Sequence, residues 1–206
     1  MNSTAEEEDI ESIDDAELVG RCRNEIPHST QSFQILVRKY EGIVFNTCAK
    51  VLGSFPDAEE VSQDVFIKIY HKLHQFEGRS SFKTWLFSIV YNQCLSRLKR
   101  LSRQRGREVL LDTQLVDTPE PPQDWGAAHQ RERVQAAILQ LKPEDREVIV
   151  ARFISDLSLE QIAEVLDLKL SATKMRLYRA MERFKEVFHL LPDDADRNEQ
   201  EVSHDQ

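Results

Sequence analysis

Glycine is scarce: six residues in a chain of 206, none of them in a G-x-G pair. A loop that cradles phosphate, or a nucleophile elbow, needs glycine where the backbone turns sharply or lies against a ligand, so both are excluded. Cysteine is scarcer still. Cys22, Cys48 and Cys94 are odd in number and far apart, leaving neither a disulfide framework nor a C-x-x-C metal knuckle and pointing to a reducing cytoplasm. No apolar run approaches the roughly 20 residues that cross a bilayer. The opening MNSTAEEEDIESIDDAE is acidic where a secretory signal is basic and then apolar, so no direct membrane insertion is expected. Strand-like alternation is missing. So is any convergent set of nucleophile, base and carboxylate, and the chain is expected to carry no catalytic residue, no cofactor and no metal.

What is present is charge, unevenly placed. The formal net charge is −9. Residues 1–17 hold eight acids and no base, and residues 192–206 hold six acids and one base. The body between them holds 26 bases and 22 acids. A mildly basic protein thus lies between two acidic tails of the kind that stay disordered. The bases also cluster. Arg97, Lys99, Arg100, Arg103, Arg105 and Arg107 run without an acid, and Lys174, Arg176, Arg179, Arg183 and Lys185 surround a single Glu182. Two basic patches in separate halves suggest two contacts with a polyanion.

The periodicity is helical nearly throughout. Asp14-x-x-Glu17 is a capping box opening a short helix that carries Leu18, Val19 and Cys22. Phe33, Leu36, Val37, Tyr40, Val44, Cys48 and Val51 recur at three- and four-residue steps, with Gly53 as a C-terminal stop. Pro56-Asp57-x-x-Glu60 opens a third helix with Val61, Val65, Ile69 and Leu73 on one stripe. A fourth is expected over about 81–101, with Phe82, Leu86, Ile89, Val90 and Leu98 inward. From Ser102 to Ala127 the pattern dissolves, and Pro121-Pro122 favours extended backbone. Helices resume over about 128–141, 143–153, 158–166 and 171–190. The reading is all-α: two small helical domains, 14–101 and 128–191, on a flexible linker at 102–127, with disordered tails at 1–13 and 192–206.

The last two helices have helix-turn-helix spacing. Ser158-x-x-Gln161 caps a short helix with Ile162, Ala163, Val165 and Leu166 toward the core. Asp167 sits where the turn wants a residue tolerant of left-handed backbone. On the second helix Thr173, Leu177, Ala180, Met181 and Phe184 face inward, while Lys174, Tyr178, Arg179 and Lys185 face outward. A basic, N-terminally polar helix so mounted fits a DNA major groove; the competing reading is an ordinary helical hairpin with a solvated basic face. In the first domain, Glu59, Glu60, Gln63 and Asp64 form an acidic and amide face. It is either simply solvated or a dock for a basic helical partner. His71 and His74 beside Lys72 are read as surface residues rather than metal ligands. Between Phe76 and Arg100, the aromatics Phe76, Phe82, Trp85, Phe87 and Tyr91 interleave with Arg79, Lys83, Arg97, Lys99 and Arg100. Some must be core, Phe82 most readily. The rest offer what unpaired bases need, stacking surfaces beside phosphate-binding charge.

These segments resemble the extracytoplasmic-function (ECF) branch of the bacterial sigma-70 family. The likeness rests on Asp57-Ala-Glu-Glu-Val-Ser-Gln-Asp-Val-Phe66, Phe76-Glu-Gly-Arg-Ser-Ser-Phe-Lys-Thr-Trp-Leu86, Leu141-Lys-Pro-Glu-Asp-Arg-Glu147 and Leu157-Ser-Leu-Glu-Gln-Ile-Ala163, in the family's order. The resemblance implies that Asp57, Glu60, Gln63, Asp64 and Phe66 dock on core RNA polymerase. It implies that Arg79, Ser81, Lys83, Trp85, Asn92 and Arg97 open and hold the −10 promoter element. Ser171, Lys174, Met175, Arg176, Tyr178 and Arg179 would read the −35 element, and the linker would run through the RNA-exit region. It further implies a cytoplasmic protein, a stress- or envelope-related regulon and an anti-sigma factor as partner, with the chemistry left to the polymerase.

Two departures from the family pattern imply a distinct promoter sequence. Tyr91-Asn92 and Ser96 stand where Arg-Asn and Asp are usual. Ser171-Ala-Thr-Lys-Met-Arg176 replaces Gly-Thr-Val-Lys-Ser-Arg, and Met175 is suited to a thymine methyl. The alternatives are a stand-alone helix-turn-helix regulator, against which the lack of a dimerisation seam counts, and an adaptor that binds polymerase without reading DNA.

Overall fold

The computed structural model describes residues 13–105 and 125–191. Asp14 accepts a hydrogen bond from the Glu17 N–H at 3.1 Å and so caps α1, Asp15–Glu25, which buries Leu18, Val19 and Cys22 as expected. α2, Gln31–Leu52, buries Leu36, Tyr40, Val44, Cys48 and Val51. α3, Phe55–Lys72, starts at Ser54, whose hydroxyl accepts from the Asp57 N–H, and buries Val61, Val65 and Ile69. A 3-10 turn, Leu73–Gln75, leads through a loop to α4, Phe82–Arg105. The second half comprises α5, Trp125–Gln140, α6, Pro143–Phe153, α7, Leu159–Val165, and α8, Leu170–Leu190.

Helix α4 continues four residues past its expected end, and α5 begins three residues before its expected start. Ser102-Arg-Gln-Arg105 contains nothing that stops a helix before Gly106, so the good helix formers simply extend it. The rest of the expected linker and, apart from Ile13, both expected tails lie outside the described residues; Ile13 packs against the core and its carbonyl accepts from the Lys39 ammonium at 2.6 Å.

The two halves meet. The α2 helix packs on α6 and α5, and α4 packs on α7, so the buried residues of both halves belong to one continuous cluster. Side chains such as Leu36, Leu86, Phe87, Leu157 and Ile162, all essentially inaccessible, contribute about 1.5–3 kcal/mol each on burial. At the junction Arg146 donates to the carbonyls of Ile138 (3.1 Å), Leu139 and Leu141 (3.2 Å) at the end of α5. It also donates to the Val51 carbonyl (3.2 Å) at the end of α2. One guanidinium therefore satisfies the last carbonyls of two helices from different halves.

Gly53 ends α2 with φ +69°, its N–H donating to Ala49 O at 2.9 Å. A Cβ there would lie 2.8 Å from the Leu139 Cδ2 methyl, a side-chain end that can swing aside, so the backbone conformation is the main obstacle. Gly53→Ala is expected to destabilise the chain by ~1–2 kcal/mol, lowering Tm by about 3–6 °C; thermal denaturation checks it.

Glu147 on α6 is only 7% exposed. Burial pushes its carboxyl above the ordinary range; Arg176 pulls it partly back, Glu144 adds to the rise and Arg146 opposes it. A carboxyl whose folded pKa is raised stabilises the fold most below its unfolded pKa of ~4.3. That stability is lost as pH climbs from there through the folded pKa. Glu147→Gln should abolish this decline, so the stability difference between variant and wild type should grow in the variant's favour across that window. Chemical denaturation from pH 4 upward reads it.

Candidate functional site

The helix-turn-helix is built from its caps outward. Ser158 Oγ accepts from the Gln161 N–H at 3.2 Å while Gln161 Oε1 accepts from the Ser158 N–H at 2.8 Å, a reciprocal capping box that starts α7. Ile162 and Val165 are buried. Asp167 takes φ +52°, turning the chain as its position predicts. On α8, Thr173 and Ala180 are fully buried, and the Thr173 hydroxyl donates to Lys169 O at 3.2 Å, which removes the cost of burying it. Arg183 reaches back to the buried Asp145 of α6 at 2.5 Å and fixes α8 against it.

This mounting leaves Ser171, Lys174, Met175, Tyr178 and Arg179 exposed along one side of α8. Met175 (51% exposed) and Tyr178 (63%) are large side chains turned to solvent, the Tyr178 hydroxyl bonding only to the neighbouring Glu182 of the same helix. Arg176 differs from the rest of its expected set. It is half-buried, and its charge favours the ionised form of the buried Glu147 on α6.

The second surface surrounds the start of α4. Phe76, Phe82 and Trp85 form an aromatic cluster with centroids 5.3, 5.8 and 5.9 Å apart. Phe82 is core, while Phe76 and Trp85 are half-buried and line a recess of about 250 Å³ with Gln75, Glu77, Arg79 and Ser80. Drug-sized sites start near ~300 Å³, so this one suits a single planar group. Arg79, 86% exposed, pairs with Glu77 at 2.5 Å on its rim. Ser81 caps α4, its hydroxyl accepting from the Thr84 N–H at 3.1 Å. Asn92 is exposed seven residues after Trp85, hence on the same side of the helix.

The structure does not gather the whole expected −10 set here. Of the aromatics interleaved with the bases, Phe87 and Tyr91 are core residues, 0% and 1% exposed. Lys83 lies on the opposite side of α4 from Trp85 and Asn92, and its ammonium donates to Asp156 O at 2.9 Å in the other half. Arg97 lies across α3, donating to Asp57 Oδ1 through Nε at 2.7 Å and through Nη2, and to Glu60 through Nη1 at 2.9 Å. Its side chain is 15% exposed and that of Asp57 14%. Asp57 and Arg97, expected on different surfaces, together brace α3 against α4.

The third surface is the free face of α3. Glu59, Glu60, Gln63 and Asp64 are exposed, as expected. Sequence reasoning missed what lies beside them. Ile67 is 57% exposed and, with Phe66, Gln63, Val37 and Phe45, lines an apolar groove of about 680 Å³ between α2 and α3. Gly42 lies along it with open space where a Cβ would stand. The available signals were Ile67, an apolar residue off the Val61–Val65–Ile69 stripe, and a helix-interior glycine that costs about 1 kcal/mol against alanine.

Sigma-70 region 2 matches residues 36–104 and Sigma-70, region 4 matches residues 131–184. The ECF RNA polymerase sigma-E factor of Haemophilus influenzae is 30% identical over 182 residues, 84% of this chain and 94% of its own length. The chain belongs to the ECF sigma factors. SigW, an ECF RNA polymerase sigma factor of Bacillus subtilis, is 28% identical over 163 residues, 75% of this chain and 87% of its own. The sigma factor RpoE of Bartonella quintana, solved with the anti-sigma factor NepR, shares the fold. It has a TM-score of 0.66 at 21% identity, over 79% of this chain and 99% of that one. An ECF sigma factor works with core RNA polymerase on DNA in transcription initiation and is not itself an enzyme. In this sigma factor the recess and the groove lie within region 2, and the exposed side of α8 lies within region 4.

Proposed function

We propose that this ECF sigma factor directs core RNA polymerase to a specific set of promoters by reading two DNA elements with two separate surfaces. The −35 element is read from the major groove by Ser171, Lys174, Met175, Tyr178 and Arg179, with Arg176 steadying the helix against Glu147. The −10 element is held by Arg79, Ser81, Trp85 and Asn92 around the aromatic recess, which takes one flipped base. Core polymerase docks along Glu60, Gln63, Asp64, Phe66 and Ile67, while Asp57 and Arg97 hold that helix in place. The observation that carries the reading is the side of α8. Polar, basic and large apolar residues stand exposed together on a helix whose opposite side is locked by Thr173, Ala180 and the Arg183–Asp145 pair. The cytoplasm is its place of action. The fold shared with an anti-sigma-bound relative supports an anti-sigma factor as partner, and the branch as a whole supports a stress- or envelope-related regulon.

Run-off transcription with core polymerase on a pooled promoter library tests this. Transcripts that depend on the protein and share two upstream motifs are expected. Binding to duplex DNA with no transcripts would instead identify a stand-alone regulator, and absence of both an adaptor. Lys174→Ala is expected to weaken promoter binding by ~1–3 kcal/mol; unchanged affinity in a titration would remove Lys174 from the reading set.

A further inference from the structure

Charge is uneven along α8. From its N-cap Lys169 to Arg179 the chain holds four bases and no acid, with Lys169, Lys174 and Arg179 exposed and Arg176 half-buried. The helix also starts without a side-chain cap and without an acid in its first turn, so its first N–H groups add partial positive charge to those bases. The exposed acids of α8, Glu182 and Glu186, stand farther down. The exposed Glu160 carboxyl on α7 sits below the ordinary range through hydrogen bonds with its own N–H and Ser158, with Lys174 the smallest contributor. Little of the Lys174 charge is offset there.

The far end of α8 leads directly into an acidic segment. Leu191 caps the helix with extended backbone, φ −77° and ψ 139°, the conformation that Pro192 favours in the residue before it. Arg133 of α5 donates to the carbonyls of Phe188 and Leu191, both at 3.4 Å, and its guanidinium lies 4.5 Å from the Phe188 ring centre. The point of departure is therefore pinned. Residues 192–206 hold Asp193, Asp194, Asp196, Glu199, Glu201 and Asp205 against the single base Arg197. Lys174 lies about 25 Å back along the helix from Leu191, a span that about eight extended residues cover. Asp193, Asp194 and Asp196 can thus lie beside Lys185 and Arg179 while Glu199, Glu201 and Asp205 reach Lys174. A segment on so short a tether is present at roughly millimolar effective concentration. The other acidic stretch, residues 1–12, departs instead from the first domain, where Lys39 holds Ile13.

We infer that the exposed side of α8 from Lys174 to Lys185 is a docking surface for this chain's own residues 192–206, which occupy it until DNA displaces them. The inference deepens the −35 reading and rests on it. Held there, the segment lowers the affinity of that side for every duplex by the same factor. Random DNA is bound by phosphate contacts alone and falls away. A promoter keeps the base contacts of α8 and the −10 contacts of the first domain to offset the loss.

Two experiments on the full chain test it. A carbodiimide should join the Lys174 amine to carboxylates of residues 193–205, the elements of water passing to the reagent and the amide being mapped by mass spectrometry. Lys185 is too near the segment in sequence to discriminate, whereas Lys174 is not. The Lys174 amide should form in the free chain and be lost once a duplex carrying the upstream motif from the run-off library is bound. No amide at Lys174 in the free chain, or one that persists on the duplex, overturns the inference. The second experiment combines Asp193→Asn, Asp194→Asn, Asp196→Asn, Glu199→Gln, Glu201→Gln and Asp205→Asn. This variant should bind random duplex about tenfold or more tightly than wild type near ~50 mM salt, the gap closing to about twofold near ~0.5 M as the charges are screened. Combining Glu6→Gln, Glu7→Gln, Glu8→Gln, Asp9→Asn and Glu11→Gln shifts the net charge almost as far and should leave binding within about twofold. Equal gains from both sets would reduce the effect to net charge, and a gain from the second set alone would make residues 1–12 the occupant; either sinks the inference. If Lys174→Ala leaves promoter affinity unchanged, the −35 reading falls and the competition with DNA falls with it. A missing amide, with Lys174→Ala still defective on the promoter, sinks the docking alone.

Discussion

Ile67→Glu is expected to cut affinity for core RNA polymerase about a hundredfold or more with little change in Tm. Ile67 is 57% exposed, so its replacement takes nothing from the core, and surface changes of that kind stay within about 0.5 kcal/mol of wild type. In the complex the same carbons would lie in the groove formed with Val37, Phe45 and Phe66. There the carboxylate would lose its hydration without a partner, and leaving a charge buried and unpaired at an interface costs about 2–5 kcal/mol. The acids already on α3, Glu60 and Asp64, add repulsion from the same side. Analytical ultracentrifugation or fluorescence anisotropy with core enzyme measures the affinity. Retained affinity, with an unchanged melting curve, would remove the groove from the docking surface and leave only the charged face.

Trp85→Ala is expected to weaken binding of a fork-junction −10 template by ~1–3 kcal/mol, the usual worth of one base–aromatic stack. Initiation from duplex promoters should fall further, because flipping a base out of a duplex costs a few kcal/mol more that the recess must offset. The −35 duplex should bind as before. Trp85 also packs on Phe76 and Phe82, so truncation disturbs the cluster itself. Trp85→Phe separates the two roles, since it keeps most of the packing and a stacking face. Trp85→Phe near wild type with Trp85→Ala defective supports stacking. Both variants equally defective on the fork, with equal losses of Tm, would make Trp85 a structural residue and the recess incidental.

Much of the fold was legible in the sequence because it is local. Asp14 and Ser158 each cap the helix their spacing announces, whereas α3 is capped by Ser54, ahead of the expected opening at Pro56-Asp57. Gly53 and Asp167 take the left-handed backbone their positions call for, and the stripe Val61–Val65–Ile69–Leu73 is buried as its four-residue step requires. The side of α8 that meets solvent was legible for the same reason, with Thr173 and Ala180 inward and Lys174, Tyr178 and Arg179 outward. Arg176 was the exception on that helix. Periodicity places it near the boundary between the two sides, and it is half-buried, with its charge acting on the buried Glu147 of another helix.

What the sequence could not separate are residues of suitable chemistry whose partners come from elsewhere in the chain. Aromatics at 76, 82, 85, 87 and 91 all suit base stacking. Burial against α2 and the second half removes Phe82, Phe87 and Tyr91 from that role and leaves Phe76 and Trp85 at the recess. Asp57 and Arg97 suit a partner and a phosphate, yet 40 residues apart they find each other.

By itself the sequence determined that this protein is helical, that its second half carries a helix-turn-helix, and that its branch of the sigma-70 family is ECF. Those properties follow from caps, turns and hydrophobic steps within about seven residues, and from motifs that survive unaligned. The tertiary structure decided which charges are free and which are engaged, where the apolar groove opens beside Ile67, and that Thr47, Tyr91 and Ser155 meet across the two halves. A hydroxyl carries no periodicity and no sign of charge, so nothing in the order of residues marks one that will be buried against another 108 positions away.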